Sequence, residues 1–356
     1  MSFKIKTNCL KFSSALLFLL IFQFAYSQGN KKQPKEIGIN EYSNLDAVFQ
    51  KNAKALGNDA VALLWKDTLV YKRELGEFDT KSVTEIDAAS SWLTAALIMK
   101  LVEEGKLSLD DKVGQYIPIY ETYGKSYITI RHCLTHFTGI QSDNKLFSKK
   151  KFSSLEDEVN SYAKKEIQTN PGTEFRYSEI GFNIAGRIAE IVSKKKFDML
   201  AKQKLFNPLG MRKSTFSNLD GSAIDPAGGA KSSAEEMLRF IRMLLDNGKY
   251  NGQTFLSEES IKELRMIYAT SVPLTNAPKT TEGYGYAPGS WVLEEGNDKQ
   301  ATALSGVAFS GTWTLVDWCR GYAFVLMTKS ASGEKKKELY LPFKEAIDEK
   351  HASKCE

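Results

Sequence analysis

A nearly continuous run of apolar residues between Trp92 and Val102 predicts a buried helix over residues 87–105. A helix that is apolar on all sides has to lie inside a sizeable domain, because no face is left for water. Asp87 is placed to cap its start, and Gly105 to end it in the left-handed conformation. The first turn is small and polar, so its N-terminus at the edge of the core is a place for a nucleophile or an anion site.

The pattern of apolar positions predicts strands near both ends of the chain. Residues 60–65 and 68–71 flank a tight turn, and residues 291–327 hold apolar runs separated by glycines, as antiparallel strands do. Between them the pattern is helical, and Ser153 with Glu156 and Ser233 with Glu236 have the spacing of capping boxes. Helices are predicted at residues 42–56, 128–136, 153–165, 179–192, 197–205, 233–247 and 338–350. This order of elements predicts an α+β sandwich with a helical insert.

The first 27 residues predict a secretory signal peptide. A basic start with three lysines precedes an apolar run at residues 15–24 and a small-x-small cleavage site that ends at Ser27. The run is too short to span a bilayer, so no stable membrane anchor is expected. Cleavage near Ser27 predicts a secreted or periplasmic protein, with a polar linker at residues 28–40 and a tail at residues 351–356.

Composition is that of an ordinary soluble domain: 42% of the 356 residues are hydrophobic and 26% are charged. The formal net charge of +5 falls to about +2 without the three signal-peptide lysines, which gives no reason to expect a nucleic acid partner.

Three cysteines lie outside the predicted signal peptide: Cys133, Cys319 and Cys355. An odd number at scattered spacing allows at most one disulfide, and free thiols are expected.

Five short motifs carry a resemblance to a known family. They are LVEEGKLSLDD at 101–111, ITIRHCLTHFTG at 128–139, NPLGM at 207–211, PAGG at 226–229 and GTW at 311–313. With them the chain resembles the serine β-lactamase and penicillin-binding DD-peptidase superfamily, nearest its class C β-lactamase and esterase branch. The resemblance implies one domain over residues 41–350, an antiparallel sheet flanked by helices plus an all-helical region, with the active site between them. The sheet would take residues 41–80 and 285–350, and the helical region residues 88–280.

The family's chemistry needs a serine nucleophile at a helix N-terminus and a lysine three residues later that takes its proton. Aligning the predicted buried helix with the family's helix places these groups at positions 88 and 91. This chain has Ala88 and Ser91 there. A methyl group cannot attack a carbonyl, and a neutral hydroxyl is a poor base. Both halves of the catalytic pair are therefore replaced.

Two further family motifs correspond to residues 177–179 and 304–307. The first keeps its tyrosine as Tyr177, while Glu179 stands where the stricter motif has asparagine. The second has neither the lysine nor the histidine of active relatives. The resemblance thus predicts a ligand cleft whose lining residues are Ala88, Ser90, Ser178, Glu179, Ser305 and Gly306.

Three hypotheses follow for function. The leading one is a secreted pseudoenzyme whose cleft binds a small molecule or peptide, such as one derived from the cell wall. The alternative is an active serine hydrolase of esterase, β-lactamase or DD-peptidase type, with Ser91 and Tyr177 as rearranged catalytic residues. A metal-dependent hydrolase is the third, since His132 and His136 have the i, i+4 spacing of zinc ligands on a helix, although no third ligand is evident. No cofactor and no metal are predicted.

Overall fold

Seven strands form one antiparallel sheet, in the order β2-β1-β11-β10-β9-β8-β7. Its strands are β1 (Ala60–Lys66), β2 (Thr68–Leu75), β7 (Gly285–Ala287), β8 (Ser290–Glu295), β9 (Ala301–Val307), β10 (Trp313–Asp317) and β11 (Tyr322–Thr328). Two short pairs lie outside it, β3 (Thr84–Glu85) with β4 (Lys231–Ser232) and β5 (Lys249–Tyr250) with β6 (Gln253–Thr254). Strands near both ends of the chain thus share one sheet, as the apolar pattern predicts.

The computed structural model describes residues 36–142, 152–218, 220–270, 274–307, 311–329 and 337–355. The predicted signal peptide and the predicted linker up to residue 35 lie outside these ranges. Residues 36–40, the end of that predicted linker, include Ile37, which exchanges backbone hydrogen bonds with Lys72 of β2 at 3.2 and 3.0 Å. This end of the segment therefore lies against the sheet.

Both faces of the sheet are buried, which explains why β11 is apolar from Tyr322 to Met327. Alternate side chains of a strand point to opposite faces. Tyr322, Phe324 and Leu326 belong to one apolar cluster, and Ala323, Val325 and Met327 to the other. Helices α1 (Ser43–Lys51) and α11 (Leu341–Asp348) cover the first face, where the rings of Phe49 and Phe343 lie 6.5 Å apart.

The second face carries the helical region. Its elements are α2 (Ser90–Glu103), α3 (Val113–Tyr116), α4 (Ile119–Thr122), α5 (Ile130–Leu134), α6 (Leu155–Ala163), α7 (Ile180–Ser193), α8 (Phe197–Ala201), α9 (Ala234–Leu245) and α10 (Glu258–Arg265). A π-helical turn, Lys202–Phe206, extends α8. The predicted α+β fold, an antiparallel sheet flanked by helices plus a helical region, is confirmed.

Helix α2 is the predicted buried helix, and its neighbours approach its backbone closely. Gly105 has a φ of +65° and ends the helix, its amide bonding to the Val102 carbonyl at 2.9 Å. Gly289, in the β7–β8 turn, has a φ of +79°, and a Cβ there would lie 2.6 Å from the Ser91 carbonyl oxygen. Only glycine fits a left-handed backbone at this distance. The turn can therefore press against the start of α2.

Cys319 and Cys355 form a disulfide, while Cys133 is free and buried. The expectation of free thiols is wrong for this pair, because α11 returns the end of the chain to the β10–β11 turn. The predicted tail is also attached: the Lys354 amide donates to the Cys319 carbonyl at 2.8 Å. His351 lies 3.2 Å from the Tyr42 hydroxyl.

Neither of the two predicted capping boxes forms. Helix α6 is capped one residue later than predicted, by Ser154, whose hydroxyl accepts from the Asp157 amide at 3.1 Å. Ser233 does occupy the N-cap position of α9, but its side chain makes no capping bond. The Glu236 carboxylate is taken instead by the Lys213 amide, at 3.0 Å, and by a serine hydroxyl. Tertiary partners thus compete with the local motif.

Candidate functional site

The first residues of the buried helix form a short 3-10 turn, Asp87–Ala89, that leads into α2. Ala88 is partly exposed, whereas Ala89 is buried beside Gly306 of β9. Asp87 is not the N-cap that the sequence predicts. The extra turn moves the cap position to Ile86, so Asp87 falls inside the turn with a φ of +40°, and the cap makes no side-chain bond.

Both serines at the start of α2 are buried and bond to residues 225–230, called the PAGG loop below. The Ser90 hydroxyl accepts a hydrogen bond from the Ala230 amide at 3.0 Å. The Ser91 hydroxyl donates to the Ala227 carbonyl at 2.9 Å. A backbone carbonyl holds the Ser91 proton in a hydrogen bond but is not a base that could remove it.

The PAGG loop is also held by two other elements. Thr94, one turn further along α2, donates its hydroxyl to the Pro226 carbonyl at 2.7 Å. From α7, the Asn183 side-chain oxygen accepts from the Ala227 amide at 3.1 Å. The loop is therefore fixed beside the start of α2, the position at which the family resemblance puts the reaction.

Tyr177 lies in the segment before α7, and its ring centre is 5.5 Å from that of Trp291 on β8. The side chain is partly buried, and within the described part of the chain its hydroxyl has no hydrogen-bond partner. Burial raises the pKa of Tyr177, and the carboxylates of Glu179, Asp225 and Asp87 raise it further. The hydroxyl is therefore protonated at neutral pH, and these three carboxylates disfavour its ionisation.

His136 is the buried centre of the aromatic cluster behind Tyr177. Its ring centre lies 4.6 Å from that of Tyr177 and 4.7 Å from that of Tyr286. The Ser178 amide approaches Nδ1 at 3.4 Å, and Nε2 lies 2.9 Å from the Tyr286 hydroxyl. Since an amide only donates, Nδ1 accepts and Nε2 carries the proton. Desolvation lowers the pKa of His136 to about 3, so the ring is neutral.

His132 and His136 do not lie on one helix face, which two zinc ligands at i, i+4 spacing would require. Helix α5 ends at Leu134, and His136 lies beyond it with a φ of +61°, so the two rings do not share a helix face. Nδ1 of His132 faces the Thr129 amide at 3.3 Å. Both ring nitrogens of His136 are already hydrogen-bonded.

Ser305 and Gly306 are neighbours on β9 and point to opposite faces of the sheet. Ser305 is fully buried opposite Trp291 of β8, and its hydroxyl has no hydrogen-bond partner among the described residues. Gly306 faces α2, where an added Cβ would lie 3.3 Å from the Ala89 Cβ. The strand on which the sequence resemblance places its third motif is thus adjacent to the turn that carries Ala88.

Carboxylates come together elsewhere, at Glu294, Asp317 and Asp348, with oxygens within 4.8 Å of one another. Lys344 bonds to all three carboxylates, and Arg320 also pairs with each of them. The cation positions of this cluster are therefore filled by side chains. The cluster attaches α11 to the sheet.

Sequence reasoning missed several residues around Tyr177. The sequence marks Asp87 only as a helix cap and His136 only as half of an i, i+4 histidine spacing for which no metal is predicted, and it marks neither Asp225 nor Trp291. Asp225 immediately precedes the PAGG motif and Asp87 precedes position 88, so closeness to family motifs is the signal that could have marked both. Trp291 has no such signal, because strand pairing brings it to the site.

Comparison with known proteins identifies relatives over most of the chain. A family model described as Beta-lactamase matches residues 45–345. Penicillin-binding protein 4 of Amycolatopsis lactamdurans is 27% identical over 243 residues, which are 60% of this chain and 64% of that protein. An N-acetylmuramyl-L-alanine amidase of Bacillus subtilis (strain 168) is 26% identical over 253 residues, 60% of this chain and 57% of that protein. The chain therefore spans less than two thirds of the length of these relatives.

Solved structures share the fold. A candidate beta-lactamase from Bacteroides dorei DSM 17855 superposes with a TM-score of 0.78 at 21% identity, covering 86% of this chain and 98% of that one. An octameric penicillin-binding protein homologue from Pyrococcus abyssi gives a TM-score of 0.67 at 21% identity, with 86% and 76% covered. Within the described ranges, none of the helices has both the length and the apolar character required to cross a bilayer.

Proposed function

This chain belongs to the Beta-lactamase family, and on that basis we propose that it is a catalytically impaired member that binds a ligand in the old active-site cleft. The observation that carries the proposal is Ala88. It occupies the partly exposed turn at the start of α2, beside β9 and the PAGG loop, where the family's nucleophile is expected. A methyl group at that place offers no electron pair for attack on a carbonyl.

The environment of Ser91 supports the proposal. Its side chain is 3% exposed, and its proton is engaged by the Ala227 carbonyl. Tyr177 carries a pKa well above its usual value, so its phenolate, the form that could act as a base, is scarce at neutral pH. The runner-up function is an active serine hydrolase with Ser91 and Tyr177 in rearranged roles. It would require substrate binding to release the Ser91 proton from the Ala227 carbonyl and to lower the pKa of Tyr177.

The ligand we propose is a peptide, ester or peptidoglycan-like fragment, in keeping with the cell-wall relatives. The carboxylates of Glu179, Asp225 and Asp87 act on the Tyr177 hydroxyl, and position 91 has no lysine. A ligand carboxylate at this end of the cleft would be repelled. We therefore propose that a neutral or amine-bearing group of the ligand contacts Tyr177.

A secreted or periplasmic location, with signal-peptide cleavage near Ser27, is part of the same proposal. It rests on the basic, apolar and small-residue order of the first 27 residues. Edman sequencing of the protein recovered outside the cytoplasm tests it. A mature chain that still begins at Met1 would contradict it.

Covalent labelling tests the loss of catalysis. Protein lacking residues 1–27 is incubated with a fluorescent penicillin and with a fluorophosphonate, and its intact mass is measured. We expect no adduct, and turnover of p-nitrophenyl esters equal to that of Ser91→Ala. A stoichiometric adduct on Ser91 that disappears in Ser91→Ala would establish the runner-up instead.

A second experiment tests ligand binding separately. Calorimetric titration compares a peptide ending in D-alanyl-D-alanine with the same peptide amidated at its C-terminus. We expect the amide to bind more tightly, and Glu179→Gln to narrow the difference because it removes one of the three repelling charges. Glu258→Gln, which changes an exposed carboxylate on α10, is the matched control. Tighter binding of the free acid, unchanged by Glu179→Gln, would overturn the proposed charge selection.

A further inference from the structure

A cavity of about 380 Å³ lies at the N-terminus of α9, and its lining shares no residue with the surroundings of Ala88 described above. Four cationic side chains line it: Lys81, Arg212, Lys213 and Arg239. They come from three separate segments of the chain, the connection after β2, the segment 210–213 and α9 itself. The fold thus gathers at one place cationic side chains that are far apart in the sequence.

None of these four cations forms an ion pair with a carboxylate in the described part of the chain. The Lys213 ammonium donates to the Lys81 carbonyl at 3.0 Å, and the Arg239 guanidinium donates to the Gly210 carbonyl. Elsewhere in the protein, Arg320 and Lys344 are fully engaged by carboxylates. The cavity therefore holds cations whose charge is left uncompensated by direct partners.

Two carboxylates also line the cavity, and both are occupied. Both oxygens of Glu236 accept from the Lys213 amide, at 3.0 and 3.1 Å, and one accepts from the Ser214 hydroxyl. Glu235 accepts from the Thr80 hydroxyl at 3.0 Å. Against four cations, these two acids leave the lining net positive.

Ser233 supplies the second, independent observation. It is the N-cap residue of the twelve-residue helix α9, is only 1% exposed and lines the cavity. Its hydroxyl makes neither a capping bond nor any other hydrogen bond among the described residues. Because it lines the cavity and has no protein partner within the described ranges, this hydroxyl is available to a ligand at the helix N-terminus.

We propose that this cavity binds a tetrahedral oxyanion of the phosphate class. The guanidinium groups of Arg212 and Arg239 match such an oxyanion in geometry, and the lysines add charge. The Ser233 hydroxyl donates to one oxygen, and the dipole of α9 favours the negative charge. The same chemistry fits a soluble phosphate ester or an anionic lipid headgroup.

Equilibrium dialysis with labelled inorganic phosphate tests the proposal on the protein lacking residues 1–27. Arg212→Gln is expected to raise Kd about tenfold, equivalent to about 1.4 kcal/mol. Ser233→Ala should raise Kd severalfold while the thermal midpoint stays unchanged, because no capping bond is lost. Lys262→Gln, an exposed cation on α10, is the matched control and should change Kd less than twofold.

A vesicle arm distinguishes the two sources. Sedimentation with phosphatidylcholine vesicles, with and without phosphatidylglycerol, is compared for the parent protein and Arg212→Gln. If the parent protein binds the anionic vesicles and Arg212→Gln binds them more weakly, the ligand is a lipid headgroup. If the protein binds phosphate but not the vesicles, the ligand is a soluble phosphate ester. Absence of saturable binding by either probe overturns the proposal. Equal weakening by Arg212→Gln and Lys262→Gln also overturns it, because binding would then follow net charge and not this cavity.

Discussion

The buried ring of His136, which packs against Tyr177, predicts that the stability of the folded protein depends on pH. The unfolded chain protonates this histidine near pH 6.5, whereas burial keeps it neutral in the folded protein down to about pH 3. Lowering the pH from 7 to 5 therefore protonates only the unfolded state and stabilises it. From these two pKa values the folded protein should lose about 2 kcal/mol of its free energy of unfolding between pH 7 and pH 5.

Urea unfolding at pH 7 and pH 5, followed by circular dichroism, measures this loss. The substitution His136→Asn removes the titrating ring, and asparagine tolerates the left-handed backbone found at this position. The difference between the two pH values should then shrink by about 2 kcal/mol relative to the parent protein. His351→Gln, at a more exposed histidine, is the matched control with a smaller effect. A His136→Asn variant with the parent's pH dependence would refute the reasoning, as would an NMR titration of His136 with a midpoint near 6.5.

Three further substitutions test the stability of the fold by urea unfolding at pH 7. Cys355→Ser opens a disulfide that closes a separation of 36 residues, so it should cost about 4 kcal/mol, and the cost should vanish when both proteins are reduced. Ser257→Ala removes a hydroxyl that caps α10 and should lower the free energy of unfolding by about 1 kcal/mol. Ser233→Ala removes no capping bond and should leave this free energy almost unchanged. Equal losses in the two variants would contradict the assignment of caps. Lys344→Met leaves the buried Asp317 with fewer partners and should cost about 3 to 5 kcal/mol, and a change below about 1 kcal/mol would show that the cluster is not needed.

The sequence predicts the fold well where burial alone decides the pattern. A helix that is apolar on all sides, such as α2, has few alternatives to the core, and a strand with a continuous apolar run, such as residues 322–327 of β11, needs cover on both faces. The limits of these elements shift by a few residues, since helix ends depend on contacts that the local sequence does not contain.

Elements governed by distant partners are predicted less well. The capping box at Ser233 fails because the amide of Lys213 competes for Glu236. The disulfide joins Cys319 to a residue that α11 brings back across the sheet. His136 has zinc-ligand spacing, yet burial and the end of α5 make it a neutral hydrogen-bonding ring. In each case the deciding contact is far away in sequence.

The contacts between α2 and the PAGG loop affect how a nucleophile and a base could be restored at positions 88 and 91. Ser91 now bonds to Ala227, and Ser90 and Thr94 bond to other carbonyl and amide groups of the same loop. A lysine returned alone to position 91 would break one of these contacts and place a charge where the side chain is 3% exposed. A serine returned alone to position 88 would lack its proton acceptor. Under the proposed function, neither substitution alone would supply both the nucleophile and its base, so recovery of the reaction would require the two changes together.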